Sequence, residues 1–230
     1  MLTRWIRQGL DMGICPLCRV AHKSDREYVW QLSEEGSGDE ETMSAISRAH
    51  GFCAEHAEML RRVDAGVKSM LGLSSMYAEV LGDLQADLAA RDVSRQTEVA
   101  ACPGCANRDA AVGKNAQYLL GMLGSGIGGF ADRFAASAGL CFPHFDLVWN
   151  TGGSADARRL VLDVQARVVT ELASELGEFI RKEGVEFRYE PKGREQDAWQ
   201  RAMWLTSGWP APAVSAGIPE ATADPDRAVD

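Results

Sequence analysis

The sequence predicts an all-α fold: a duplicated helical unit, each half organised by a Cys3His metal site, the two halves packed as one compact body. Three observations lead there. Apolar residues recur at helical spacing, and no five-residue run alternates convincingly as a strand would. The local sequence repeats about 87 residues apart. All six cysteines belong to the repeated element.

In the first copy, Val20, Tyr28, Val29 and Leu32 mark a helix over 16–34, and a second helix follows over 39–49 after the Gly36-Ser37-Gly38 break. Gly51 suits the positive-φ cap of that helix, and Cys53 opens a third ending near Arg62. The second copy repeats this with helices over 103–123, 128–138 and 141–149. A long amphipathic helix follows each copy. The first covers 66–91, with Val67, Met70, Leu71, Tyr77, Val80, Leu81, Leu84 and Leu88 on its apolar stripe. The second covers 154–183, with Leu160, Val161, Val164, Val168, Leu172, Leu176, Phe179 and Ile180. Both stripes are expected in the core. GVEFRYEP over 184–191 could form a short extended piece.

Residues 194–206 predict a closing helix, with Trp199 and Met203 at i, i+4 spacing; it docks Trp199, with Trp204 and Trp209 left for packing or for a partner-binding aromatic patch. The Pro-, Ala- and acid-rich tail beyond Trp209 is expected to be disordered. The expected domains are residues 1–95 for the first metal-binding repeat, 96–206 for the second with the closing helix, and 207–230 for the tail.

An offset of 87 residues aligns Cys15 with Cys102, and one of 88 aligns Gly51 with Gly139 and His56 with His144, so one insertion reconciles the copies. Trp30 and Leu32 then fall opposite Tyr118 and Leu120, which marks them as core positions. Gly124, Gly126 and Gly129 match G-x-G-x-x-G, but the preceding NAQYLLGML reads as helix where a dinucleotide fingerprint needs a strand.

Each copy holds Cys-Pro-x-Cys and, about 35 residues on, Gly-x-Cys-x-x-His. Read copy by copy, the ligand sets are Cys15, Cys18, Cys53 and His56, then Cys102, Cys105, Cys141 and His144. Three thiolates and one imidazole suit tetrahedral Zn(II), two per chain. Within a copy the ion would tie the start of the first helix to the start of the third. Both pairs stand at helix N-termini, where free N–H groups and the dipole favour thiolate. Four protein ligands leave no place for a reactive water, so each zinc reads as structural. The rival is a [2Fe-2S] centre, which also takes four protein ligands.

The formal charge is −9, and each zinc on three thiolates adds about one more negative charge, which disfavours phosphate-driven nucleic-acid binding. No run approaches the length of a membrane span, and MLTRWIRQGLDMG is not a secretory signal. Reduced thiols and a cytoplasmic location are therefore expected. His22 and His50 lack counterparts in the second copy, as do Glu55 and Glu58; they read as surface or cap residues, with His50 close enough to the first site to stand behind a ligand. No catalytic residue is assigned.

The combination of CPLC, GFCAEH, CPGC, GLCFPH and the closing RYEPKGREQDAWQRA resembles a bacterial family of helical proteins known only as a domain of unknown function. The resemblance runs from residue 15 to about 207 and implies a duplicated, cytoplasmic, zinc-binding protein with those eight ligands. Three functional readings follow: a non-enzymatic zinc-stabilised scaffold or accessory protein that binds another protein, an iron-sulfur electron-transfer protein, and a zinc-thiolate redox sensor.

Overall fold

The computed structural model describes residues 3–35, 40–67, 71–91, 99–187 and 189–210. Among them the regular structure is entirely helical: α1 (Thr3–Asp11), α2 (Pro16–Glu35), α3 (Glu40–Arg48), α4 (Ala54–Val67), α5 (Leu71–Ala89), α6 (Pro103–Ser125), α7 (Phe130–Ala135), α8 (Phe142–Thr151), α9 (Ala155–Lys182) and α10 (Ala198–Ser207). Single 3-10 turns, Ile127–Gly129 and Arg194–Asp197, precede α7 and α10. The Gly36-Ser37-Gly38 break, the 95/96 boundary and the tail from residue 211 lie outside the described residues.

Four helices open on a cysteine. Cys15, Cys53, Cys102 and Cys141 stand just before α2, α4, α6 and α8, and their carbonyls accept from the N–H groups of Arg19, Ala57, Ala106 and Phe145. Pro16 and Pro103 occupy the first helical position, where a fixed φ helps and the missing N–H costs nothing. Gly51 has φ 96 and its N–H reaches back to Ile46 O, the expected helix-ending role.

Two units cluster separately: Met1–His22 with Ala111–Ala211, and Lys23–Ala110. This division differs from 1–95 and 96–206, because the chain leaves the first unit within α2 and re-enters it within α6. In the first unit Leu17, Leu119, Phe134, Leu140 and Val161 form the core together with Ile6 of α1. Helix α1 carries little sequence signal, since Ile6 and Leu10 are its buried apolar pair, yet Ile6 is fully buried and contributes about 1.5–3 kcal/mol. The second unit is centred on Val29, Leu32, Ile46, Leu60, Met76 and Val80.

The duplication continues into the long helices. Gln165 of α9 is buried and clamps the loop before Cys141, donating to Leu140 O at 2.9 Å and accepting from Leu140 N at 3.2 Å. A Cβ on Gly139 would come 3.2 Å from the Gln165 oxygen. Tyr77 of α5, 88 positions earlier than Gln165, stands the same way against Gly51, where a Cβ would come 3.1 Å from its ring.

Several expectations are corrected. Leu71, Leu81 and Leu88 are 73%, 61% and 63% exposed, because the core takes the adjoining face of α5 bearing Met76 and Val80. Ile180 is likewise exposed on α9, and Tyr118 on α6, although Leu120 and Leu32 are buried. The stretch 185–187 forms turns instead of an extended piece, closed by Phe187 N on Gly184 O. Helix α10 docks through Ala198 and Leu205, while Trp199 and Met203 face outward. Trp209, beyond the helix, does the packing expected of Trp199, with Trp204 beside it at 6.2 Å.

Gln165→Leu removes both partners of the Leu140 peptide while preserving bulk. It is expected to cost about 1–3 kcal/mol, measured by denaturant unfolding against wild type; an unchanged midpoint would show that the clamp contributes nothing.

Candidate metal centres

The four cysteine-opened helices converge in pairs. In the first unit Cys15 and Cys18 of the α2 start meet Cys141 and His144 of the α8 start; in the second, Cys53 and His56 of the α4 start meet Cys102 and Cys105 of the α6 start. Within each group the ligand atoms all lie within 4.8 Å of one another. The eight sequence-predicted residues thus come together, but the expected copy-by-copy sets do not form. Cys15 and Cys18 are not grouped with Cys53 and His56, nor Cys102 and Cys105 with Cys141 and His144. The Cys-Pro-x-Cys of each repeat is joined to the Gly-x-Cys-x-x-His of the other.

The imidazole of His56 lies against Gly104, where an added Cβ would come 2.4 Å from its Cδ2. The counterpart of Gly104 in the first copy is Leu17, which is fully buried in the core of the first unit.

In the first centre His144 Nδ1 is 3.5 Å from Cys15 Sγ, 3.4 Å from Cys18 Sγ and 3.1 Å from Cys141 Sγ, with Cys18 and Cys141 sulfurs 3.5 Å apart. In the second, His56 Nδ1 is 3.2 Å from Cys53 Sγ, 3.5 Å from Cys105 Sγ and 3.7 Å from Cys102 Sγ, with Cys53 and Cys105 sulfurs 3.7 Å apart. A tetrahedral ion with metal–sulfur bonds of about 2.3 Å sets its ligands roughly 3.8 Å apart, close to these edges. Disulfide sulfurs stand at about 2.05 Å, and all six cysteines are free.

Crowding three thiols so closely splits their proton affinities. Burial and the bonds to Cys141 and Cys18 push Cys15 well up; the bond with Cys141 pushes Cys18 up to about 12. Cys141, bonded by both, is held far below its ordinary value. In the second centre burial and the contact with Cys53 push Cys105 up to about 12. Burial would raise Cys53 as well, but bonds from the His56 backbone and ring and from Cys105 and Cys102 bring it down to about 7. Repulsion among neighbouring thiolates opposes full deprotonation of a trio until a cation enters, and a divalent ion supplies that charge.

The surroundings of the two centres differ. His56 is fully buried, and its Nε2–H donates at 3.0 Å to the buried carboxylate of Asp25, leaving Nδ1 to face the sulfurs. Against the opposing effect of burial, the bonds to Cys53 and Asp25 raise the His56 pKa. Arg108 stands 3.6 Å from Asp25 and 3.2 Å from Glu55, and its Nη2 donates to Cys105 Sγ at 3.7 Å. Sequence reasoning missed Asp25 and Arg108, because a single acid within a helix reads as solvated. The available signal was alignment, since Asp25 falls opposite the apolar Val112. In the first centre the added contact comes from the C-terminal segment: Trp209 N–H donates to Cys18 Sγ at 3.4 Å. His22 and His50 join neither group; His50 takes φ 53 in the loop before Gly51. Glu58 pairs with Arg61 and Arg62.

A family model described as a family of unknown function, DUF6062, matches residues 11–211. The chain belongs to this family. No curated protein and no solved structure matches it. Among the described residues no helix of this DUF6062 protein is long and apolar enough to cross a membrane.

The exchanged pairing predicts metal stoichiometry in double variants. Cys53→Ser with Cys102→Ser touches one centre and is expected to remove one metal per chain by native mass spectrometry. Cys53→Ser with Cys15→Ser is expected to remove two, and the opposite pattern would restore copy-by-copy sites. Asp25→Asn is expected to weaken the second centre about 10–100-fold in chelator competition and to leave the first unchanged, as loss of a carboxylate behind a histidine ligand does elsewhere. Equal affinities in wild type and variant would remove Asp25 from the account.

Proposed function

We propose that this DUF6062 chain is a non-enzymatic, zinc-stabilised helical scaffold that binds another protein. The observation that carries this reading is the closed ligand shell: each group offers three sulfurs and one nitrogen at tetrahedral edge distances, without a position for a hydrolytic water. A [2Fe-2S] cluster sets two ligands on each of two irons and so separates its ligand pairs, whereas here all four atoms crowd together. The carboxylate behind His56 also suits a zinc-bound imidazole. Free thiols fit a reducing compartment such as the cytoplasm.

The partner reading is supported by the apolar side chains that the units leave outside their cores. Leu81 and Leu88, two helical turns apart on one face, and Leu71 are exposed on α5, and Trp199 and Met203 are exposed on α10. Such faces are where helical scaffolds take up other chains.

Metal analysis of purified protein is expected to give two zinc per chain and a colourless solution. Stripping them with a chelator should lower the melting temperature steeply, since apparent zinc binding energies reach on the order of 10 kcal/mol in small domains. Cys141→Ser should destabilise the first unit and Cys53→Ser the second. A stripped protein that melts like the loaded one would end the structural reading, and iron with labile sulfide would replace it with electron transfer. For the partner, Leu81→Glu with Leu88→Glu should abolish a co-purifying protein that wild type retains; retention by the variant would clear this face of the role.

A further inference from the structure

The duplication yields two centres with the same donor set but unequal access. In the first, Cys15, Cys18 and Cys141 are 0%, 3% and 0% exposed, and the segment Gly208-Trp209 lies over Cys18 and Cys141. The Trp209 N–H is bonded to Cys18 Sγ, and the Gly208 Cα is so close that a Cβ there would stand 3.7 Å from that sulfur and 4.0 Å from Cys141 Sγ. Trp209 also packs its ring against both apolar clusters of the unit. In the second, Cys53, Cys102 and Cys105 are each partly exposed. What closes in on that centre is polar: the Arg108 guanidinium on Cys105 and Glu55 on Arg108.

Resting on the zinc reading above, we propose that the second centre is a site of reversible oxidation by hydroperoxides, and that the first centre is protected by the Gly208-Trp209 segment. Access decides which thiolates react when the donor sets are alike. The balanced step uses hydrogen peroxide as the oxidant. A zinc-bound thiolate sulfur attacks one peroxide oxygen, the O–O bond breaks, and the departing hydroxide takes a proton to leave as water. A second thiolate attacks the resulting sulfenic sulfur, the S–S bond forms, the S–O bond breaks, and a second proton carries that hydroxide away as water. Two thiolates, one peroxide and two protons thus give one disulfide and two waters, and zinc leaves as its donors are lost. Cys53 and Cys105, with sulfurs 3.7 Å apart, are the pair placed to bridge. A dithiol reverses the step by thiol-disulfide exchange, and zinc can rebind.

The experiment uses the full-length, zinc-loaded chain. Zinc per chain is measured first, and fewer than two before any oxidant overturns the zinc reading and this inference with it. With two present, a few equivalents of hydrogen peroxide are added, released zinc is followed with a coloured chelator, and cysteines are mapped by alkylation and mass spectrometry. The expected result is release of one zinc, a disulfide among Cys53, Cys102 and Cys105, unmodified Cys15, Cys18 and Cys141, and recovery on adding a dithiol and zinc. Trp209→Ala keeps all eight ligands while opening the cover, and is expected to raise release toward two zinc. Release of both ions together from wild type, release of neither, or oxidation at Cys15, Cys18 or Cys141 first would overturn the inference while leaving the zinc reading intact.

Discussion

Three sulfurs and an imidazole nitrogen held within 4.8 Å are the constraint on which the rest depends. Buried thiols at that spacing cannot all become thiolates unless positive charge arrives, and the opposite displacements of Cys141 and of Cys15 and Cys18 express that conflict. The helices are built to present the conflict in one place. Each of the four loops ends in a cysteine whose carbonyl starts a helix, so the sulfurs gather where the positive helix ends lie.

The pairing sets which segments must find one another. Cys18 and Cys141 are 123 positions apart, Cys53 and Cys105 only 52. The additional entropy of closing the longer loop is about 0.5–1 kcal/mol on logarithmic scaling, small beside metal binding energies on the order of 10 kcal/mol. Loop length therefore gives no reason for sites to form within a repeat. Local packing in the second centre fits the observed partner, since the His56 ring lies in the space that Gly104 leaves. The two units follow the exchanged pairing, each holding one complete ligand set.

Within that shared plan the two copies have diverged around the candidate ligands and not in them. Asp25 replaces an apolar position to hold His56, and Arg108 joins the second centre through Cys105. The first centre is instead closed by Trp209, whose segment has no counterpart in the first repeat. Tyr77 and Gln165, at equivalent positions, support equivalent loops by different means, an aromatic ring against Gly51 and an amide against the backbone of Leu140.

Much of this was legible in the sequence because it is local. Helical spacing, Pro at the first helical position, Gly51 after α3 and the cysteine-histidine patterns each depend on neighbours a few residues away, and they fixed the all-α class and the eight candidate ligands. Helix α1 was not legible, since one i, i+4 pair is too short a signal, nor was the outward face of α5, whose leucines match the periodicity of a buried stripe. Tertiary structure alone decided the partnership of the ligand pairs. Two similar Cys-Pro-x-Cys turns and two similar Gly-x-Cys-x-x-His starts can be combined in two ways with the same donors and the same local spacing. The choice is expressed in contacts such as His56 on Gly104 and Trp209 on Cys18, which join residues that sequence periodicity does not connect.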